Sequence, residues 1–223
     1  FSRIHWKHLH KAGEYKGVKL LGVFTHGPGQ MFLVKKPVNS VADIAGMKIR
    51  SGGGISEASA KALGASPLVK PAPESYELLS SGVADATFFP SESIRSFNLD
   101  KVVKHATIFP GGFYSSAFGF FMNEEKWNKL PKQDQDAIMS VSGEALARLA
   151  GKAWDAADKG GMDALKAAGV NIQQASPAFI AEVRTRTEPL ANNWIQAANA
   201  KGLDGAKVLA EFREELKRVA EGK

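Results

Sequence analysis

The segment Gly46 to Pro67, GMKIRSGGGISEASAKALGASP, constrains this chain more than any other. Met47 and Ile49 alternate with Lys48 and Arg50, the period-two pattern of a short strand. Ser51-Gly52-Gly53-Gly54 then predicts a turn, because glycine adopts left-handed backbone angles without a steric penalty. Ile55, Ala58, Ala62 and Leu63 follow at helical spacing, and Gly64 supplies a C-terminal stop. A strand end, a glycine turn and a helix N-terminus thus meet beside one arginine. Open α/β sheets bind ligands at crevices of this kind, and helix N-termini favour anions. The guanidinium fork of Arg50 matches a carboxylate through two parallel hydrogen bonds. The segment predicts an anion site, a carboxylate first, against the plainer reading of a tight turn with a solvated arginine. Gly52 to Glu57 lacks the last glycine of the dinucleotide fingerprint, and no lysine stands where a phosphate loop needs one.

The same rhythm runs through the first half of the chain. Gly17 to Phe24 is a nearly continuous apolar run, as in a strand covered on both faces, and it ends in the turn Thr25-His26-Gly27-Pro28-Gly29-Gln30. The glycines of that turn would let the backbone approach a ligand closely. Further strands are predicted at Met31 to Val34, Leu68-Val69, Asp85 to Phe89 and Val102 to Phe109, with short helices between them, one capped by Asn39-Ser40. Strands alternating with helices over short links predict a parallel α/β sheet. Pro110-Gly111-Gly112 interrupts, and Phe113 to Met122 reads as an aromatic strand whose rings would ordinarily be core. Phe113 and Tyr114, beside the turn, are better placed than Phe120 or Phe121 to line a cleft. From Pro131 one long amphipathic helix is predicted, running as far as Ala168 with a possible bend at Gly160-Gly161. A strand at Val170 to Gln174, a helix from Ser176-Pro177 and a charged amphipathic tail from Leu203 to Ala220 complete the chain.

With 223 residues, 44% hydrophobic and 23% charged, the chain is long enough for one large domain or two small lobes. Its net charge of +6 comes from scattered basic residues, which suits a small anionic ligand and argues against nucleic acid. No apolar run reaches the length of a membrane span, no signal peptide opens the chain, and the absence of cysteine suits an oxidising compartment. His5, His8 and His10 lack an acidic fourth ligand nearby and read as a wet helix face rather than a metal site. His26 and His105 belong to no nucleophile-base motif, and the pairs Glu124-Glu125 and Glu214-Glu215 point apart on helices. Neither a catalytic set nor a cofactor motif is present, so binding is expected rather than conversion.

Val41-Ala42-Asp43-Ile44-Ala45-Gly46-Met47-Lys48-Ile49-Arg50, Gly64-Ala65-Ser66-Pro67, Glu74 to Leu79 and Gly82 to Ala86 together resemble the dicarboxylate-binding-protein type of TRAP transporter solute-binding protein. Phe121-Met122-Asn123-Glu124 and Leu130-Pro131 fit the same family, and the resemblance runs from about Trp6 to the C-terminus. It implies an α/β, two-lobed periplasmic-binding-protein-like fold of type II kind, its lobes linked by crossing strands and a long helix. Residues 1–27 with 115–153 would form lobe I, and 28–114 with 154–223 lobe II. It implies a periplasmic receptor, not an enzyme, that binds an organic acid and passes it to membrane permease subunits, without entering the membrane itself. Arg50 would make the salt bridge to the carboxylate. Gln30, Gly52, Phe88, Phe89, Phe113 and Tyr114 complete the expected ligand contacts, with no cofactor or metal. A ligand-sensing module of a regulator and an α/β enzyme acting on a small organic acid are the alternatives.

Three departures from the family pattern shape the expectation. Gln30 stands where many members carry a second arginine, and Phe89 where sialate-binding members carry asparagine. An apolar wall at Phe88 and Phe89, with Phe113 and Tyr114 opposite, suggests a monocarboxylate with an apolar or aromatic body. The family's opening β-α units have no counterpart in this chain, which implies an incomplete lobe I.

Overall fold

The computed structural model of the chain describes residues 1–222. In chain order it contains α1 (Ser2–Lys7), β1 (Val18–Thr25), β2 (Gly29–Leu33), α2 (Val41–Ile44), β3 (Lys48–Ser51), α3 (Gly54–Ala62), β4 (Ser66–Val69), α4 (Ser75–Ser80), β5 (Ala86–Pro90) and α5 (Ser93–Ser96). There follow β6 (His105–Ile108), β7 (Ala117–Asn123), α6 (Glu124–Asn128), α7 (Lys132–Ser140), α8 (Glu144–Ala167), β8 (Asn171–Gln174), α9 (Pro177–Ala200) and α10 (Gly205–Ala220). The chain divides into two compact units. One comprises Phe1–Thr25, Ala117–Lys152 and the segment from Ala191 onward; the other comprises His26–Ser116 and Ala153–Leu190.

The second unit is built on a six-stranded sheet in the order β4-β3-β5-β2-β6-β8. The strands pair in parallel except β2, which lies antiparallel between β5 and β6, so the sheet is mixed where the alternation predicted a purely parallel one. The reason is local. β2 follows β1 of the other unit after only a short turn, and so it enters the sheet without a helical crossover. Both faces of the sheet are covered. Met31, Leu33, Ile49, Ala86 and Phe88 join one buried cluster, and Phe32, Phe89, Ala106 and Leu165 the other. This is strand alternation read out as two cores. Helix α2 starts as its sequence suggests, with Asp43 accepting hydrogen bonds from the Ser40 N–H and hydroxyl, both at 3.0 Å.

The first unit carries β1 and β7 as an antiparallel pair whose register shifts between Leu20 and Gly22. Gly22 and Gly119 are close-approach positions, because a Cβ there would stand 2.8 Å from the Leu146 side chain and 2.6 Å from the Tyr15 ring. The expected strand at Phe113 to Met122 begins only at Ala117, since residues 113 and 114 hydrogen-bond instead to Gly29. Phe120 and Phe121 are 52% and 55% exposed rather than core. The single long helix expected from Pro131 is two helices. The break falls at Gly143 (φ 62°), whose N–H donates to the Leu21 carbonyl at 2.7 Å, and α8 runs unbroken through Gly160-Gly161. The tail lies with the first unit, not with residues 28–114 as the lobe boundaries had it. Lys7 meets Glu211 at 2.7 Å, Arg3 meets Glu215 at 2.6 Å, and Phe1 packs edge-on against Phe212.

Candidate ligand-binding site

In the second unit the C-terminal ends of β3, β5 and β6 meet the N-terminal end of antiparallel β2. Arg50 sits there on β3, in register with Thr87 of β5, so its side chain shares the sheet face that carries Phe89. The guanidinium lies over the Phe89 ring, 4.2 Å from its centroid, and Phe97 stacks on Phe89 at 5.7 Å. Arg50 is 2% exposed. Its Nε and Nη2 donate to one acceptor, the Lys70 carbonyl, at 3.0 and 2.7 Å. Among the described residues no carboxylate reaches it within ion-pair distance. Glu74 acts on it only from a distance and is itself paired with Lys70 at 3.7 Å.

A charge buried without a counter-ion is costly, several kcal/mol after relaxation. Burial pulls the Arg50 guanidinium down to about 10, against opposing pulls from Tyr114 and Glu74, so it still carries its proton at neutral pH. A guanidinium has five N–H donors. Two are engaged by Lys70, which leaves three, two of them on the Nη1–Nη2 edge whose spacing fits a carboxylate. Gly52 borders that edge, since a Cβ there would stand 3.8 Å from Nη2. Gly53 has φ 90° and ψ −173°, a backbone region that is essentially glycine-only, and it leads into α3. The glycine turn thus delivers a helix N-terminus next to the buried cation, as the sequence suggests.

The remaining expected contacts divide. Phe88 and Phe89 do not form one wall: as neighbours on a strand they face opposite sides of the sheet, in different buried clusters. Phe88 is 1% exposed and serves as the floor for Phe113, whose ring meets it edge-on at 4.8 Å, with Tyr114 at 6.4 Å. Phe113 and Tyr114 are half-buried. Burial pushes the Tyr114 phenol up and Arg50 draws it the other way; the ring stays a neutral hydroxyl bearer near the cation. Gln30 reaches the site through its main chain, paired with Phe89 across the ladder. Its side-chain amide is turned to Phe109, accepting from that N–H at 2.7 Å and donating to that carbonyl at 3.2 Å.

Several neighbours carried no sequence signal. The glycines of the 25–30 turn admit the protein's own groups: a Cβ on Gly27 would stand 1.7 Å from Asp158 Oδ2, and one on Gly29 would stand 2.1 Å from the Tyr114 ring. Asp158 accepts from the Glu92 N–H at 2.8 Å, and burial raises its pKa. His26 is buried; its Nε2 accepts from the Ser116 N–H at 3.0 Å while Nδ1 meets the Gly27 carbonyl at 2.5 Å. That arrangement requires the neutral ring, and burial lowers its pKa accordingly. Among the described residues no group of three or more His, Cys, Asp or Glu side chains could hold a metal ion, and no helix is long and apolar enough to cross a membrane. His8, one of the three N-terminal histidines, meets Glu211 at 2.8 Å.

This geometry has company. Residues 2–197 match the family model described as bacterial extracellular solute-binding protein, family 7. A TRAP periplasmic solute-binding protein from Bordetella bronchiseptica, solved with (R)- and (S)-mandelate, is 49% identical with a TM-score of 0.94, covering 98% of this chain and 69% of that one. A marine metagenome TRAP solute-binding protein specific for aromatic acid ligands, solved with 3-hydroxybenzoate, is 35% identical with a TM-score of 0.83, covering 89% of this chain and 63% of that one. The outer membrane transporter protein TsaT of Comamonas testosteroni is 29% identical over 212 residues, 95% of this chain and 62% of its own length. The chain thus spans about three-fifths of that curated relative. Both solved relatives are receptors, not enzymes, and share the two-lobed periplasmic-binding fold. By sequence and by fold, this chain belongs to family 7 of the bacterial extracellular solute-binding proteins, the DctP family of TRAP transporters.

Proposed function

We propose that the chain serves in the periplasm as the receptor of a TRAP transporter, binding an organic acid and handing it to the membrane permease. The two units are the lobes of that receptor. The acid's carboxylate pairs with Arg50 on the free Nη1–Nη2 edge, Gly52 gives it room, and the N-terminus of α3 adds a favourable dipole. Phe89 sets the guanidinium plane from below, and Phe113 and Tyr114, on the Phe88 floor, face the body of the acid. The observation that carries the reading is a nearly fully buried arginine with, among the described residues, no carboxylate within ion-pair distance. The aromatic surroundings favour an aromatic monocarboxylate, a preference supported by the mandelate and 3-hydroxybenzoate bound to the two solved relatives.

A thermal-shift panel of benzoate, mandelate, acetate and malonate tests this. It is run on the chain and on a form extended at its N-terminus with the Bordetella relative's sequence. Benzoate or mandelate is expected to raise the melting temperature most. A clear preference for malonate in both forms would overturn the aromatic assignment, and silence from all four acids in both forms would overturn the carboxylate site.

A further inference from the structure

We infer that Gln30 is the positioning residue that fixes the distance between the cation and the aromatic wall, and so sets how strongly an aryl acid is preferred over a small acid of equal charge. This rests on the carboxylate reading of Arg50. On one side, the main chain of Gln30 pairs with Phe89, and the Phe89 ring carries the Arg50 guanidinium at 4.2 Å. On the other side, the ladder between β2 and β6 spans only Met31 to Leu33 on β2 and ends at Thr107 on β6, so it does not reach Phe109. The Gln30 amide substitutes for it. It binds both the N–H and the carbonyl of Phe109, at 2.7 and 3.2 Å, as a paired peptide group would.

From Phe109 the chain turns directly into the aromatic wall. The Gly112 N–H donates to the Phe109 carbonyl at 2.8 Å, and Gly112 (φ 79°) sits so close to Pro28 and Gly29 that a Cβ would stand 2.8–2.9 Å from them. The Phe113 N–H donates to the Gly29 carbonyl at 3.1 Å, and the Gly29 N–H donates to the Tyr114 carbonyl at 2.9 Å. The Phe109 and Phe113 rings pack at 5.2 Å. Residues 109–114 are therefore seated on residues 28–30, and among the described residues the side-chain hydrogen bonds in that seat are those of the Gln30 amide. It is buried and engaged on both its atoms, so it acts through Phe113 and Tyr114 rather than on the ligand.

The test compares dissociation constants for benzoate and acetate in the parent, Gln30→Met, Gln30→Glu and Arg50→Met, each in the chain and in its N-terminally extended form. Methionine keeps the volume and loses both hydrogen bonds; glutamate keeps the acceptor for the Phe109 N–H. Because both acids carry one charge, an added carboxylate cancels in their ratio. Gln30→Met is expected to reduce the preference for benzoate, the acetate Kd divided by the benzoate Kd, on the order of tenfold, with acetate affinity nearly unchanged and faster amide exchange at Phe109 and Gly112. Gln30→Glu should fall between, and it carries the comparison if the methionine variant does not fold. Arg50→Met should lose both acids. An unchanged ratio in the Gln30 variants, with Arg50 still required, overturns this inference alone. Retention of both acids by Arg50→Met, or no binding by the parent, overturns the reading beneath it.

Discussion

Two arginines, one in each unit, have opposite surroundings. Arg3 is partly exposed and holds two carboxylates, Glu144 at 2.7 Å and Glu215 at 2.6 Å. Those hydrogen bonds raise its pKa and, with a further pair from Arg148, lower that of Glu144 to about 2. Arg50 is buried, has one carbonyl and one ring face for company, and burial lowers its pKa to about 10. The first is complete within the described chain. The second keeps donors that no described residue engages, and burying a charge in that way costs stability.

The comparison breaks most readily at Arg50. Arg50→Ala should weaken the preferred acid by about 2–5 kcal/mol, roughly thirtyfold to a few thousandfold, as when one partner of a buried hydrogen-bonded charge pair is removed. Calorimetric titration reads it. Next comes the turn that presents the site: Gly53→Ala should cost about 1–3 kcal/mol of stability in urea unfolding, since φ 90° with ψ −173° suits glycine alone.

A smaller effect is expected at His26. Burial lowers its folded pKa, so below the ordinary histidine value of about 6.5 the unfolded chain takes up the proton more readily. Stability is therefore complete above that pH and declines as pH falls toward the folded value, by at most about 1.4 kcal/mol per pH unit for one group. His5, lowered mainly by its own burial, adds a parallel slope from the first unit. His26→Gln should remove part of the decline between neutral and mildly acid pH in urea midpoints. Arg3→Met should give the smallest change, a slight fall in melting temperature that shrinks further in high salt, because its pairs are at the surface.

Much of this was legible in the sequence where local physics decides. The strand, glycine turn and helix around Arg50 fall within a residue or so of their expected places, because alternation and glycine act over a few positions. The Ser40 cap was readable for the same reason. Contacts made over long separations were hidden. That Arg50 would be buried depends on Phe89 and Lys70, and where the Gln30 side chain turns depends on Phe109, 79 positions away. The pleat sends Phe88 and Phe89 to opposite faces, and the helical run from Pro131 breaks at Gly143, whose N–H goes to the distant Leu21. The antiparallel entry of β2 was invisible because its neighbours β5 and β6 come much later in the chain.

The most direct test of the central claim is a set of four melts: the parent and Arg50→Met, each with and without benzoate at a hundred times the parent's dissociation constant. Arg50→Met without benzoate should melt no lower than the parent, because a buried charge with no carboxylate partner among the described residues has been replaced by an apolar side chain. The ligand increment, about 2.7 kcal/mol in the parent, should fall to about 0.9 kcal/mol or less in the variant. A variant that melts well below the parent yet keeps the benzoate increment would contradict that claim, and would make Arg50 a structural residue.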